Sequence, residues 1–317
     1  MVGYTIVRIF RWATGLAVVL FFVYAMMFFG GGDPIRRMFL QADQASMMQD
    51  EQVQDLLRAK YGLDQPFLVQ FRNYVTNLTQ GDWGLSIRID PDRQVWEMVR
   101  ARLPISMQLG LAATMFTVFV GVPLGIWASL HHNGWIDRTI VGSTTFVNAI
   151  PIFVTGPMLI YFFVLVLGIM NVPYGWHGLF STKTILPLVV IALAPLPIVI
   201  RQTRAAMLDV MSNDYVRTAR AKGMTERIVI FRHMFRPVMT PVVTSVGLIM
   251  ITLINGSLFV ELIFGIPGFG LLTVQGIRMV DYPVIMAVAI VGTMIIFVSN
   301  FLVDIIYPLL DPRVTHH

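Results

Sequence analysis

Cysteine is absent from the 317 residues, which excludes disulfide scaffolds, thiolate metal sites and cysteine nucleophiles together. Charge is scarce: Asp, Glu, Lys and Arg make up 13% of the chain, against about 25% in a soluble domain. There is no G-x-x-x-x-G-K-[ST] phosphate-binding loop, so the chain has no such site for ATP of its own. The H-E-x-x-H and G-x-S-x-G patterns are missing too, which removes the usual metalloprotease and serine-hydrolase constellations. What is present is apolar. The AVILMFWYC residues account for 56% of the sequence, and mean hydropathy is +0.71. This is the composition of an integral membrane protein, neither a soluble fold nor a disordered chain. The net charge of +5 would suit nucleic acid, but the basic residues are segregated by loop, and no nucleic-acid partner is expected.

A helix rises 1.5 Å per residue, so crossing a core of ~30 Å takes ~20 mostly apolar residues. Runs at 12–29, 106–130, 139–170, 184–200, 238–263 and 284–308 meet or approach that length. The first follows Arg8 and Arg11, as a signal peptide would, but it is long for one and no A-x-A site precedes Gly30, so it reads as a retained anchor. Residues 30–103 interrupt the pattern with nearly balanced acidic and basic side chains. Within them, 49–60 reads as a short helix stopped by Gly62. The expected architecture is all-α with six transmembrane helices. Its parts are 1–29, the amino terminus and first span; 30–103, an extracytoplasmic insertion; and 104–317, a core of five helices.

Orientation follows from where the basic residues lie. The 201–237 connection carries Arg201, Arg204, Arg217, Arg220, Lys222, Arg227, Arg232 and Arg236. By contrast, the 171–183 loop has only Lys183. Both termini are therefore expected in the cytoplasm and 30–103 outside. The 201–237 segment is also too long for a simple connection, since helix–helix links usually take 2–8 residues. Ser212-Asn213-Asp214 offer capping side chains for a helix through Lys222, with Gly223 at its C-terminal stop. Thr225 is placed to cap a second amphipathic helix, with Pro237 at the handover to the next span. On physics alone these basic helices suit anionic lipid and a docked protein equally.

The run Asp214-Tyr215-Val216-Arg217-Thr218-Ala219-Arg220-Ala221-Lys222-Gly223, with His233 and Pro237 downstream, closely resembles the signature loop of ABC importer permeases. Its form is that of the oligopeptide/dipeptide branch, the B-type subunit: Arg217 and Thr218 stand in for the Glu and first Ala of the general E-A-A-x-x-x-G, while Ala219 and Gly223 match. Glu261-Leu262-Ile263-Phe264-Gly265-Ile266-Pro267-Gly268-Phe269-Gly270 and Asp281-Tyr282-Pro283 resemble further family motifs, as do 61–66, 81–86 and 311–313.

The resemblance implies a non-catalytic permease subunit of an ATP-driven importer in a prokaryotic plasma (inner) membrane. Its partners would be a homologous second permease, two cytoplasmic ATP-binding subunits, an extracytoplasmic substrate-binding protein and membrane lipid. The chain itself would hold no cofactor, ATP and Mg being bound by the ATPases. Asp214, Tyr215, Arg217, Thr218, Ala219, Arg220, Ala221, Lys222, Gly223 and His233 would form the ATPase-coupling element. Di- and oligopeptides are the implied cargo, with glutathione, nickel chelates and oligosaccharides as alternatives and an ATP-independent secondary transporter as a remote one. Polar residues in lipid are the candidates for a path. Asn148, Asn255 and Glu261 are named for it, against helix packing for the two asparagines and interfacial capping for Glu261. Twenty methionines read as packing, and His131-His132 lacks a second pair of ligands, so no metal site is expected.

Overall fold

The computed structural model describes residues 2–30, 51–60, 62–254 and 258–310. The described residues are helical except for connecting turns and one isolated antiparallel bridge between Leu85 and Gln94. The chain divides into two compact units. The first comprises Met1–Pro104 with Gly268–Phe297, and the second Ile105–Pro267 with Val298–His317.

In the first unit, α1 (Val2–Gly30) carries no charged residue after Arg11. The amphipathic α2 (Glu51–Lys60) ends at Gly62, whose φ of 65° lets Leu63 N–H reach back to the Arg58 carbonyl. Pro66 then opens α3 (Phe67–Thr79), the place where a missing N–H costs nothing. Rings hold α3 to α1: Phe71 meets Phe21 at 5.6 Å and Tyr24 at 5.5 Å, and Phe67 meets Phe28 at 5.3 Å. The opening turns of α4 (Val95–Leu130) bury Val95, Met98 and Val99. They pack against Phe269 and Leu272 of a later short helix and Val284, Ala287, Val288 and Val291 of the last one.

The second unit contains the rest of α4, then α5 (Trp135–Ala149), α6 (Ile152–Ile160, prolonged by a π turn, Tyr161–Val166), α7 (Thr182–Leu193) and α8 (Leu196–Met211). There follow α9 (Asp214–Ala221), α10 (Glu226–Ile228), a π turn (Val229–Met234), α11 (Phe235–Ile254) and α12 (Leu258–Ile263). The first unit reclaims α13 (Phe269–Met279) and the start of α14 (Tyr282–Leu310).

Three described helices are long and apolar enough to cross a membrane: Phe10–Gly30, Val95–Leu130 and Tyr282–Phe301. Five are, if each of two bent pairs counts as one span. Their exposed side chains include Phe22, Met26, Phe119 and Leu165, as expected where lipid is the solvent. At 36 residues α4 is about 54 Å long, well beyond a hydrocarbon core of ~30 Å.

Two of the apolar runs are sharply bent. The 139–170 run breaks at Ile150 and Pro151, and its halves meet at 99°. Ile150 takes an extended conformation, which the residue before a proline prefers. The 184–200 run is bent by 52° at Ala194 and Pro195, and its second half continues to Met211. Hydropathy reports how much apolar length there is and says nothing about direction.

Candidate functional site

The 201–237 segment is much less of a loop than its charge suggests. Residues 201–211 belong to α8, and α10 runs through the π turn into α11 without stopping at Pro237. The second helix is thus the first turns of the next long helix, correcting the expectation of two separate surface helices. A π turn ahead of Pro237 is the kind of local adjustment by which a helix accommodates a residue that cannot donate. Only α9 stands apart.

The start of α9 also differs from expectation. Asn213 is the N-cap residue, but its side chain does not bond the first-turn N–H groups; Asn213 Nδ2 and Ser212 Oγ both donate back to the Asp209 carbonyl. Those two residues finish α8 rather than begin α9. Thr225 likewise makes no side-chain cap at α10.

The end of α9 is closed twice. Gly223 N–H donates to Arg220 O at 2.9 Å and Met224 N–H to Ala219 O at 3.4 Å. This is the pairing of a Schellman motif, with Gly223 left-handed at φ 75°. Across that turn, the Arg220 guanidinium donates to both Glu226 carboxylate oxygens, at 2.6 and 3.2 Å. That bond raises the Arg220 pKa above its ordinary value despite partial burial. Arg220 therefore clamps α9 to α10.

Underneath lies an apolar seat. Val216 and Ala219 of α9 are buried with Met207 and Val210 of α8, Val229, Ile230 and Met234 of the π turn, and Val238 of α11. Ala219 is small on the inner face, where α9 meets its own chain. The outward face presents Asp214, Tyr215, Arg217, Thr218, Ala221 and Lys222. Arg217 and Asp214 are 71% and 97% exposed, so their contact at 3.7 Å contributes little. His233 lies in the π turn, with Nε2 buried and no hydrogen-bond partner among the described residues. The result is a rigid short helix on a buried base, with a mixed polar and aromatic outer surface.

Of the three residues named for a path, the structure describes two, Asn148 and Glu261. Asn148, at the end of α5, is exposed and donates through Nδ2 to the Ala194 carbonyl at 3.3 Å. It lines a cavity of about 250 Å³ with Ile150, Pro151, Thr155, Leu193 and Ala194. Glu261 is fully buried and accepts from Ser106 Oγ at 2.6 Å. That burial speaks against the alternative of interfacial capping and leaves the path assignment untested: a carboxylate at the end of an apolar run is legible, but the hydroxyl that meets it, 155 positions away, is not. Asn255 lies outside the described residues.

Sequence reasoning missed one pair. Arg204 of α8, counted above as a loop cation, grips Asp137 of α5 with Nε–Oδ1 at 2.6 Å and Nη2–Oδ2 at 2.7 Å. Asp137 is buried and also accepts Asn133 N–H at 2.9 Å. Arg204 Nη2 reaches His132 Nδ1 at 3.0 Å. The available signal was a single acid in the first turn of an apolar helix.

Comparison with known proteins gives consistent matches. Residues 121–316 match the family described as binding-protein-dependent transport system inner membrane component. The dipeptide transport system permease protein DppB of Bacillus subtilis strain 168 is 32% identical over 317 residues, covering 100% of this chain and 99% of that one. The oligopeptide transport system permease protein OppB of Salmonella typhimurium strain LT2 is 35% identical over 260 residues, covering 82% and 84%. A chain of the MetNI methionine ABC transporter, solved in an inward-facing conformation, superposes with a TM-score of 0.57 over 68% of this chain and 97% of its own length. At 16% identity that likeness concerns the fold alone.

Proposed function

The chain belongs to the family of binding-protein-dependent transport system inner membrane components, and from that premise we propose that it forms half of the translocation path of an ATP-driven importer of di- and oligopeptides. One observation carries the reading: the full-length match to a dipeptide permease includes a helix, α9, mounted on a buried seat with its polar face free. The chain has no phosphate-binding loop, so ATP and Mg belong to two cytoplasmic partner subunits. The remaining partners are a second, homologous permease and an extracytoplasmic binding protein. Both termini and α9 lie on the cytoplasmic side, supported by the basic residues around α9. Peptide is the preferred cargo because the relatives matched over most of this chain are dipeptide and oligopeptide permeases.

In this reading α9 sits in a cleft of an ATPase subunit and is displaced when the ATPases close. A short helix with a hard stop and a packed base transmits such a push as a rigid body. The test is reconstitution with the partner subunits and binding protein, reading ATP hydrolysis against a panel of short peptides. Stimulation by peptide is the expected result. Stimulation only by glutathione, a nickel chelate or a sugar would overturn the cargo, and uptake driven by an ion gradient without ATPases would overturn the mechanism.

Gly223 offers a graded version of this test. A Cβ there would meet no atom within 4 Å, so only the left-handed backbone opposes substitution. That conformation costs an L-residue about 1–2 kcal/mol, least for Asn and Asp and most for β-branched side chains. Peptide uptake is expected to fall in the order Gly223→Asn, Gly223→Ala, Gly223→Val, while membrane insertion is unchanged. Gly223→Asp is expected to uncouple hydrolysis from uptake, because it adds an anion to the docking face. Wild-type uptake in Gly223→Val would remove the helix stop from the mechanism.

A further inference from the structure

α5 and α8 are tied together at three levels. Near one end, Asp137 and Arg204 make a two-pronged ion pair with side-chain exposures of 5% and 24%. In the middle, Arg201 Nη1 lies 3.5 Å from Thr145 Oγ1. At the far end, Asn148 Nδ2 donates to Ala194 O. That last contact joins two helix breaks, since α5 ends at Ile150–Pro151 and α8 begins after Ala194–Pro195. The breaks flank one cavity of about 250 Å³. At its opposite end α8 continues through Met207 and Val210 into the seat of α9.

We propose that Asp137 and Arg204 are positioning residues for energy coupling, locking α5 to α8 so that the two helices swing as one lever about the paired breaks. This inference rests on the reading of α9 as the ATPase-docking helix. The physical argument concerns stiffness. α8 alone would carry a displacement of α9 to its own bend at Pro195. Fastened to α5, it carries the same displacement to Ile150–Pro151 as well, where the chain turns by 99° into α6. One push then reorients two broken helices.

The ion pair suits this role. A planar guanidinium gripping both carboxylate oxygens fixes distance and orientation together, and a lysine would fix only the distance. Asp137 also holds the turn before α5 through Asn133 N–H, where Asn133 is left-handed at φ 62°. The start of α5 is therefore fixed on both sides of the carboxylate.

The experiment uses the complete reconstituted transporter with binding protein and peptide, reading hydrolysis and uptake separately. Asp137→Asn keeps an acceptor for Asn133 N–H and removes the ion pair. It is expected to lower uptake at least tenfold while hydrolysis stays within twofold of wild type, and Arg204→Lys is expected to do the same more mildly. Because the chain has no cysteine, Thr145→Cys with Arg201→Cys can be bridged by a short bifunctional thiol reagent. Bridging is expected to restore uptake in Asp137→Asn and to leave it intact in an otherwise wild-type chain. Uptake within twofold of wild type in unbridged Asp137→Asn would overturn the proposal, as would loss of uptake on bridging the otherwise wild-type chain, since α5 and α8 would then slide during transport. If Asp137→Asn fails to assemble, the bridged wild-type chain decides alone. Failure of the underlying reading looks different: the unmodified complex would show no ATPase-dependent uptake.

Discussion

Asp281→Ala is expected to be among the most destabilising single substitutions in the first unit. The Asp281 side chain is fully buried and accepts four hydrogen bonds from one short segment. Ser86 Oγ donates at 2.6 Å, Ile87 N–H at 3.2 Å, Arg88 N–H at 2.9 Å and Ile89 N–H at 3.0 Å. Hydrogen bonds to a charged acceptor are worth about 1.5–3 kcal/mol each, and donors left buried without one cost about as much. Even with strong non-additivity, the loss is about 4 kcal/mol or more. Asp281→Asn is expected to cost less, because its amide oxygen can keep the three donors that share Oδ2 while its NH₂ opposes only Ile87 N–H. Thermal unfolding of the purified protein and protease cleavage within 84–94 would check the ranking. A change in neither would show that the segment is held by other contacts.

The backbone beside Asp281 supports the same view. Val280 is left-handed at φ 56°, an outlier for a β-branched residue. Such strain, about 1–3 kcal/mol, persists only where surrounding contacts over-determine the conformation. The turn closes α13 through Asp281 N–H to Gly276 O at 3.0 Å, which places the carboxylate beneath 86–89.

Gly125→Ala is the second large effect, and it acts on α8. A Cβ at Gly125 would stand 2.6 Å from Thr203 Cβ and 2.8 Å from the Ile200 carbonyl oxygen. Neither neighbour yields cheaply, since one is backbone and the other is the stem of a buried side chain. One turn earlier, a Cβ at Gly121 would meet Val199 Cγ1 at 2.9 Å. α4 and α8 thus approach along a face that only glycine permits, as small residues permit between membrane helices. Overpacking there is expected to cost about 1–3 kcal/mol and to lower uptake as well as stability, because α8 carries α9. Gly142→Ala on α5, where a Cβ meets nothing within 4 Å, is the control and is expected to change neither. Equal behaviour of the two variants would overturn the close-packing account.

Much of the molecule was legible in the sequence because it depends on local rules. Apolar length marks the membrane helices, since a bilayer demands about 20 residues whatever the tertiary contacts. The stops at Gly62 and Gly223 are backbone matters: both sit left-handed, where glycine has no Cβ to clash. The α9 motif was readable for the same reason, since its helix and its closing turn form within a dozen residues.

Tertiary structure decided the rest. The bend between α5 and α6 was marked by Pro151, but its 99° angle depends on what the two halves pack against. Arg204 was counted with the loop cations because a charge carries no address; its partner Asp137 is 67 positions away. Ala219 looked available to a partner, yet the fold turns it inward. Glu261 and Ser106, and Asp281 and Ser86, meet across 155 and 195 positions. Composition and periodicity act over a few helical turns and therefore determined the elements, their stops and the membrane environment. Which buried charge meets which donor depends on chain segments brought together only when the helices pack, so the tertiary structure alone decided it.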